Sequence, residues 1–192
     1  MLKQSLFALS LASVLTLAPV TFAAAQDAAT PSAAELQEKF QRQKTRGLAL
    51  VSNSSSQVVV PTTSAEGKTE VAQVVYSEIE KDDQVNVRIT FDFDSAVLRA
   101  AEKPKLATLC EAMKVVDVEL FRIVGHTDAS GSDAYNEKLS LLRAEEVKRY
   151  LVNDCGVAPT RLEAVGMGKR FLYNTEDPRA DENRRVEFQA LS

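Results

Sequence analysis

The chain has 192 residues, 27 acidic against 23 basic side chains and a formal net charge of −4, with one histidine and two cysteines. An acidic balance of this kind excludes a general binder of nucleic acid or other polyanions. A chain of this length is long enough for one domain with its own core.

Residues 1–25 carry Lys3, a leucine-rich apolar run from Leu6 to Leu17, Pro19 and the small-residue ending Ala23-Ala24-Ala25. This pattern predicts a cleaved secretory signal and an exported protein, with the cut before Gln26. Lys3 is the only charged residue removed, so 23 basic residues become 22 against 27 acidic ones, and the charge shifts from −4 to −5. No later apolar run reaches the roughly 20 residues that span a bilayer, and no cysteine follows the cut to carry a lipid.

Residues 26–80 read as a linker with a short helix. Ser32-Ala33-Ala34-Glu35 is a potential capping box, followed by Leu36 and Phe40 one turn apart and Gly47 as a stop. Its apolar stripe is too thin for an independent core, which suggests a spacer helix or a docking helix for an envelope partner. The apolar islands Leu48 to Val51 and Val58 to Val60 lie between Ser-rich and Thr-rich stretches, and Val71 to Ile79 fits a strand or a helix equally well. A membrane barrel would need at least about eight strands of about ten residues, which this segment cannot supply.

From residue 81 the chain reads as a domain. Val85, Val87, Ile89, Phe91 and Phe93 alternate with polar residues, predicting one strand with a buried face. Leu106, Leu109, Cys110 and Met113 recur at helical spacing, with Pro104 in the first turn. Leu120 to Val124 form a second strand. A second helix, capped by Ser132 and stopped by Gly156, should bury Leu139, Leu142, Val147, Tyr150 and Leu151. Leu162 to Val165 form a third strand, and Val186, Phe188 and Ala190 alternate with Arg185, Glu187 and Gln189 as a fourth. The order βαβαββ predicts an α/β two-layer sandwich with both helices on one face of the sheet.

Polar residues gather between the second strand and the second helix, at Gly125-His126-Thr127-Asp128-Ala129-Ser130-Gly131. Asn136, Leu139 and Arg143 share one face of the following helix, so Arg143 points back toward the loop that carries Asp128. A carboxylate and a guanidinium on two sides of one pocket suit a ligand with both an ammonium and a carboxylate. The lone His126, with Ser130 and Asp128, does not make a catalytic triad, because all three lie within five residues of one tight loop; His126 is expected to shape that loop. Asp92 and Asp94 share a strand face, but no further ligands for a metal are assignable, and Asp92 reads as solvated.

Gly-His-Thr-Asp, Gly131, Asn136, Leu139-Ser140, Arg143-Ala144, Gly166-Met167-Gly168 and Asn183-Arg184-Arg185-Val186-Glu187 together resemble the OmpA-like peptidoglycan-binding domain over roughly residues 85 to 190. The resemblance implies a non-catalytic module, without metal or cofactor, that recognises the diaminopimelate of peptidoglycan stem peptides. Asp128 would hold the free ammonium of the diaminopimelate and Arg143 its carboxylate. Phe93 and Asp94 would help line the pocket, Asn136 and Leu139 would shape or touch it, and Thr127 and Arg185 would lie near it. Residues 26–80 would then reach an outer-membrane or periplasmic partner. Two other readings are an envelope enzyme acting on the wall, for which no nucleophile with a base is assignable, and a protein-binding adaptor.

Cys110 and Cys155 are the only cysteines of a chain bound for an oxidising compartment. A disulfide between the two helices and a pair of separate thiols are both open, since helix direction and register decide whether the α-carbons approach within about 7 Å.

Overall fold

The computed structural model describes residues 31–47, 55–63, 69–92 and 94–191. The expected signal segment, the island Leu48 to Val51 and Phe93 lie outside the described residues. The elements run α1 (Ala33–Gly47), β1 (Ser55–Thr63), β2 (Thr69–Ser77), β3 (Val85–Val87), α2 (Lys103–Val115), β4 (Leu120–His126), α3 (Asp133–Asn153), β5 (Leu162–Gly168) and β6 (Val186–Leu191). They build one mixed sheet in the order β2-β1-β5-β4-β6-β3, in which only β4 and β5 are parallel.

The two-layer sandwich follows from side-chain alternation. Phe121 and Ile123 of β4, Leu162 and Ala164 of β5, and Val186, Phe188 and Ala190 of β6 share one core with Leu106, Leu109 and Met113 of α2 and Ala144, Val147 and Leu151 of α3. Both expected helices therefore cover the same face. A separate small cluster of Tyr76, Val124, Val165 and Met167 contains the intervening residues of β4 and β5.

The first strand is shorter than its alternation predicts, ending at Val87. Val85 opposes Phe188 and Val87 opposes Val186, so Ile89 would need residue 184 as its partner. There the chain has left a short 3-10 turn at Asp181–Asn183 and offers no extended backbone. Ile89 still packs into the core without a ladder.

On α3 the buried stripe is displaced by one residue. Leu141 is buried, Leu142 is 42% exposed and Leu139 is only partly covered, whereas Val147, Tyr150 and Leu151 are buried as expected. The cause lies in the glycines facing the helix. A Cβ on Gly125 would stand 2.1 Å from the Ser140 carbonyl oxygen, and one on Gly166 would stand 2.5 Å from that of Glu137 and 2.7 Å from the Leu141 amide. The backbone of α3 lies directly on β4 and β5 at these points, turning Ser140 and Leu141 inward.

The segment read as a linker contributes to the folded body. The capping box at Ser32 forms, with the Ser32 amide donating to Glu35 Oε2 at 2.7 Å and the Glu35 amide to Ser32 Oγ at 3.3 Å. Far from being a spacer, α1 buries Leu36 and Phe40 in the main core, the Phe40 ring meeting Phe121 edge-on at 5.1 Å. A stripe too thin to hold a core alone is wide enough to complete one. Gln43 covers β6 where β3 no longer does, donating to the Asp83 carbonyl at 2.9 Å and accepting the Ala190 amide at 2.8 Å. The island Val58 to Val60 lies in β1 and the ambiguous stretch in β2, a hairpin that extends the sheet beside β5.

Cys110 and Cys155 are bonded, with α-carbons 5.8 Å apart. Both are buried, so the bridge fastens α2 to the end of α3 inside the main core.

Candidate site at the β4–α3 connection

Ser132 caps α3, its Oγ accepting the Tyr135 amide at 3.3 Å. The preceding loop is held by its own polar groups. The Ser130 amide donates to Asp128 Oδ1 at 2.8 Å, and Asn136 Nδ2 donates to the Ser130 carbonyl at 2.6 Å. The Thr127 amide donates to the Gly168 carbonyl at 2.8 Å and the Ala129 amide to that of Pro178 at 2.9 Å. Buried Ser140 closes the base, its Oγ accepting the Gly168 amide at 2.9 Å. Asp128 is thus fixed by both neighbouring chain segments.

Its other oxygen, Oδ2, accepts Arg184 Nη1 at 2.8 Å. Burial works against the Asp128 charge, but the Arg184 and Ser130 donors outweigh it and hold the carboxyl below its ordinary pKa. Arg184 also pairs with exposed Asp181, and it follows directly on Asn183, a buried residue whose side chain ties residues 174, 177 and 183 together.

Arg143 is partly buried one face away. Its Nε donates to the Ser95 carbonyl at 3.2 Å and its guanidinium lies 4.8 Å from the centre of the Phe91 ring. It feels the charges of Asp128 and Arg184, yet among the described residues no carboxylate lies within ion-pair range of it. Asp128 and Arg143 therefore do not pair with each other. Asp94, in the left-handed region at φ 50°, is exposed and accepts the Tyr135 hydroxyl at 2.9 Å. Asp92 is exposed, 3.8 Å from Arg99.

The sequence-predicted residues divide between this pocket and the opposite face. Asp128, Asn136 and Arg143 flank the loop, Leu139 lies on the same partly open side of α3, and Thr127 is buried beneath with no partner for its hydroxyl among the described residues. Arg185 points elsewhere. Its Nη1 donates to the Phe171 carbonyl at 3.3 Å, its Nη2 lies 3.6 Å from Glu187 Oε2, and its guanidinium stands 5.5 Å from the Tyr173 ring centre. The arginine that reaches Asp128 is Arg184, one position earlier. The two adjacent arginines face different ways where the chain leaves the 3-10 turn and enters β6, and only the fold tells which arginine serves which.

His126 does not shape the loop from within it. It ends β4, fully buried, with Nε2 3.0 Å from Glu187 Oε2. Glu187 also accepts Tyr76 Oη at 3.1 Å and Gln189 Nε2 at 2.7 Å. Burial lowers the His126 pKa, so the ring is neutral at pH 7 and donates its Nε2 proton to the carboxylate. Burial also opposes the Glu187 charge, but its donors and the Arg185 charge outweigh that and keep it ionised. The alternation of the last strand sets Glu187 and Gln189 opposite its apolar face; both are buried, Glu187 against Tyr76 of β2 and Gln189 against Glu187.

Comparison with known proteins bears on the same stretch. The chain is 40% identical over 119 residues to an outer membrane porin F of Pseudomonas fluorescens, covering 61% of this chain and 34% of that protein. It is 38% identical over 109 residues to outer membrane protein A of Bordetella avium, covering 55% of each. The chain thus spans between about a third and about half the length of these curated relatives. Among solved structures, the peptidoglycan-associated lipoprotein of Burkholderia pseudomallei is 30% identical, covering 53% of this chain and 86% of that one with a TM-score of 0.45. The OmpA family model matches residues 90–186, over half of the chain and all of the pocket just described, and the chain belongs to the OmpA family.

Proposed function

We propose that the protein is a non-catalytic envelope module that binds peptidoglycan through the pocket of Asp128 and Arg143, recognising the diaminopimelate of the stem peptide. The observation that carries this reading is the electrostatics of Arg143: a partly buried guanidinium without a carboxylate partner among the described residues, close enough to feel the charge of a carboxylate fixed on the facing loop. An unpaired cation in such a place costs desolvation, which an incoming carboxylate offsets. A ligand whose ammonium reaches Asp128 while its carboxylate reaches Arg143 gains two charge-assisted contacts of about 1.5 to 3 kcal/mol each. The free end of diaminopimelate carries both groups on one carbon. Membership of the OmpA family supports the same ligand class.

Modest affinity for one stem peptide suffices, since the wall repeats its ligand and rebinding raises the effective hold. Residues before the domain would lead to the envelope partner, consistent with export to the periplasm and association with the outer membrane. The test is cosedimentation of folded protein with purified sacculi. Free diaminopimelate should release the protein and acetate should not; retention that diaminopimelate leaves unchanged would refute the ligand.

A further inference from the structure

The carboxylate that this reading assigns to the ligand's ammonium is already engaged by groups of the protein itself. Oδ1 of Asp128 accepts the Ser130 amide and Oδ2 accepts Arg184, both at 2.8 Å. The Ser130 bond belongs to the loop and can persist when a ligand arrives. The Arg184 bond occupies the oxygen that a ligand would need.

Arg184 differs from the other two arginines of the region in how it is held. Its side chain is 40% exposed, against 5% for Arg185, whose guanidinium is enclosed on the other face. It also has a second anion at hand, since its other terminal nitrogen pairs with Asp181, itself 74% exposed. The Asn183 side chain fixes the backbone beside it, so the guanidinium can leave Asp128 without the loop moving.

Resting on the proposed function, we propose that Arg184 is a built-in competitor for the ligand's ammonium: it neutralises Asp128 in the empty pocket and retires onto Asp181 when the ligand binds. The physical logic is one of selection. A ligand bearing only an ammonium exchanges one ion pair for another at Asp128 and gains little. A ligand that also carries a carboxylate gains the contact with Arg143, whose Nε bonds the Ser95 carbonyl but which pairs with no carboxylate among the described residues. The latch thus makes recognition depend on both charges together. It also keeps a largely covered carboxylate partnered whenever the pocket is vacant.

Calorimetric titration of meso-diaminopimelate tests this, using Arg184→Gln and Arg184→Ala as independent removals of the competitor. Both should bind about two- to five-fold more tightly than the wild type, the range for releasing a partly exposed ion pair. Weaker or unchanged binding by the folded variants would overturn the proposal and make Arg184 a ligand contact or a bystander. Asp181→Asn should weaken binding in the wild-type background by denying Arg184 its alternative partner, and have no effect alongside Arg184→Gln. An Asp181 effect that persists without Arg184 would overturn the displacement route. A second readout does not require ligand: carboxyl NMR titration of Asp128 should show its pKa rising in Arg184→Gln, and no rise would refute the latch. Absence of diaminopimelate binding in every variant, with that rise intact, would instead refute the function reading.

Discussion

His126 and Asp128 are two residues apart, yet they serve charged clusters of opposite design. Under the sheet, Glu187 is enclosed by His126, Tyr76, Gln189 and Arg185, and its donors converge on one carboxylate. At the sheet end, Asp128 and Arg143 are only partly covered, Arg143 lacks an anionic partner among the described residues, and the cation on Asp128 is half-open to water. The carboxylate of the first cluster finds its partners within the protein, although His126 Nδ1 and Arg185 Nε have none among the described residues, and the cluster therefore holds the fold. The second is left incomplete, and incompleteness is what a ligand can use.

The sharpest way to break this contrast is to remove Glu187. Glu187→Ala strands Arg185 and three hydrogen-bond donors in a sealed space, and should cost about 3 to 5 kcal/mol of stability in urea denaturation. Protein that remains folded should still bind sacculi. A loss of binding without a loss of stability would erase the distinction between the clusters.

Arg143→Ala makes the reciprocal test. The urea midpoint should change little, while diaminopimelate and sacculus binding weaken by about 2 to 5 kcal/mol. Asp128→Ala should fall at the lower end of that range, because it also frees Arg184 from its pair. Wild-type retention by both variants would exclude the pocket.

The disulfide offers a stability loss remote from either cluster. Its 45-residue separation corresponds to about 4 kcal/mol on the chain-entropy model, and a Cys110→Ser/Cys155→Ser double variant should lose about 2 to 4 kcal/mol. Since the bridge meets α3 at its far end, sacculus binding at 25 °C should persist. Thiol labelling of unfolded, unreduced protein should find none reactive, and two after reduction.

Acid should separate the clusters with the smallest effect. Burial depresses the His126 pKa, so the unfolded chain takes up its proton first, from the ordinary 6.5 downward. The contribution of neutral His126 is fully present above that value and is lost as pH falls toward the folded pKa. Glu187, also depressed, adds a second loss below the ordinary carboxylate range, where its protonation favours unfolding. Stability should therefore decline by about 1 kcal/mol per pH unit below pH 6.5, with a flatter profile in His126→Gln between pH 7 and 5. Asp128, held below its ordinary pKa, should keep its charge and its binding over that interval.

Much of the domain was legible because local patterns and long-range packing agree in it. The periods of α2, β4 and β6, the C-terminal half of the α3 stripe, the Ser132 cap and the capping box at Ser32 reappear in place. Asp128 and Arg143 were legible as opposed charges because a loop and one turn-spaced helix face place them near each other whatever the rest of the chain does. Arg184 as the partner of Asp128 was not, for it comes from 56 positions away and its neighbour Arg185 has the same chemistry.

By itself the sequence determined the helices α2 and α3, the strands β4 to β6 and the helix face that carries Arg143, since these depend on interactions a few residues in range. Only the tertiary structure decided the rest. Whether a thin stripe at Leu36 and Phe40 becomes core depends on Phe121 waiting for it, and whether Ile89 joins a strand depends on the path of residue 184. Whether Glu187 faces water depends on a hairpin that delivers Tyr76 from 111 positions earlier. In each case the deciding partner is distant in sequence, so local pattern carries no information about it.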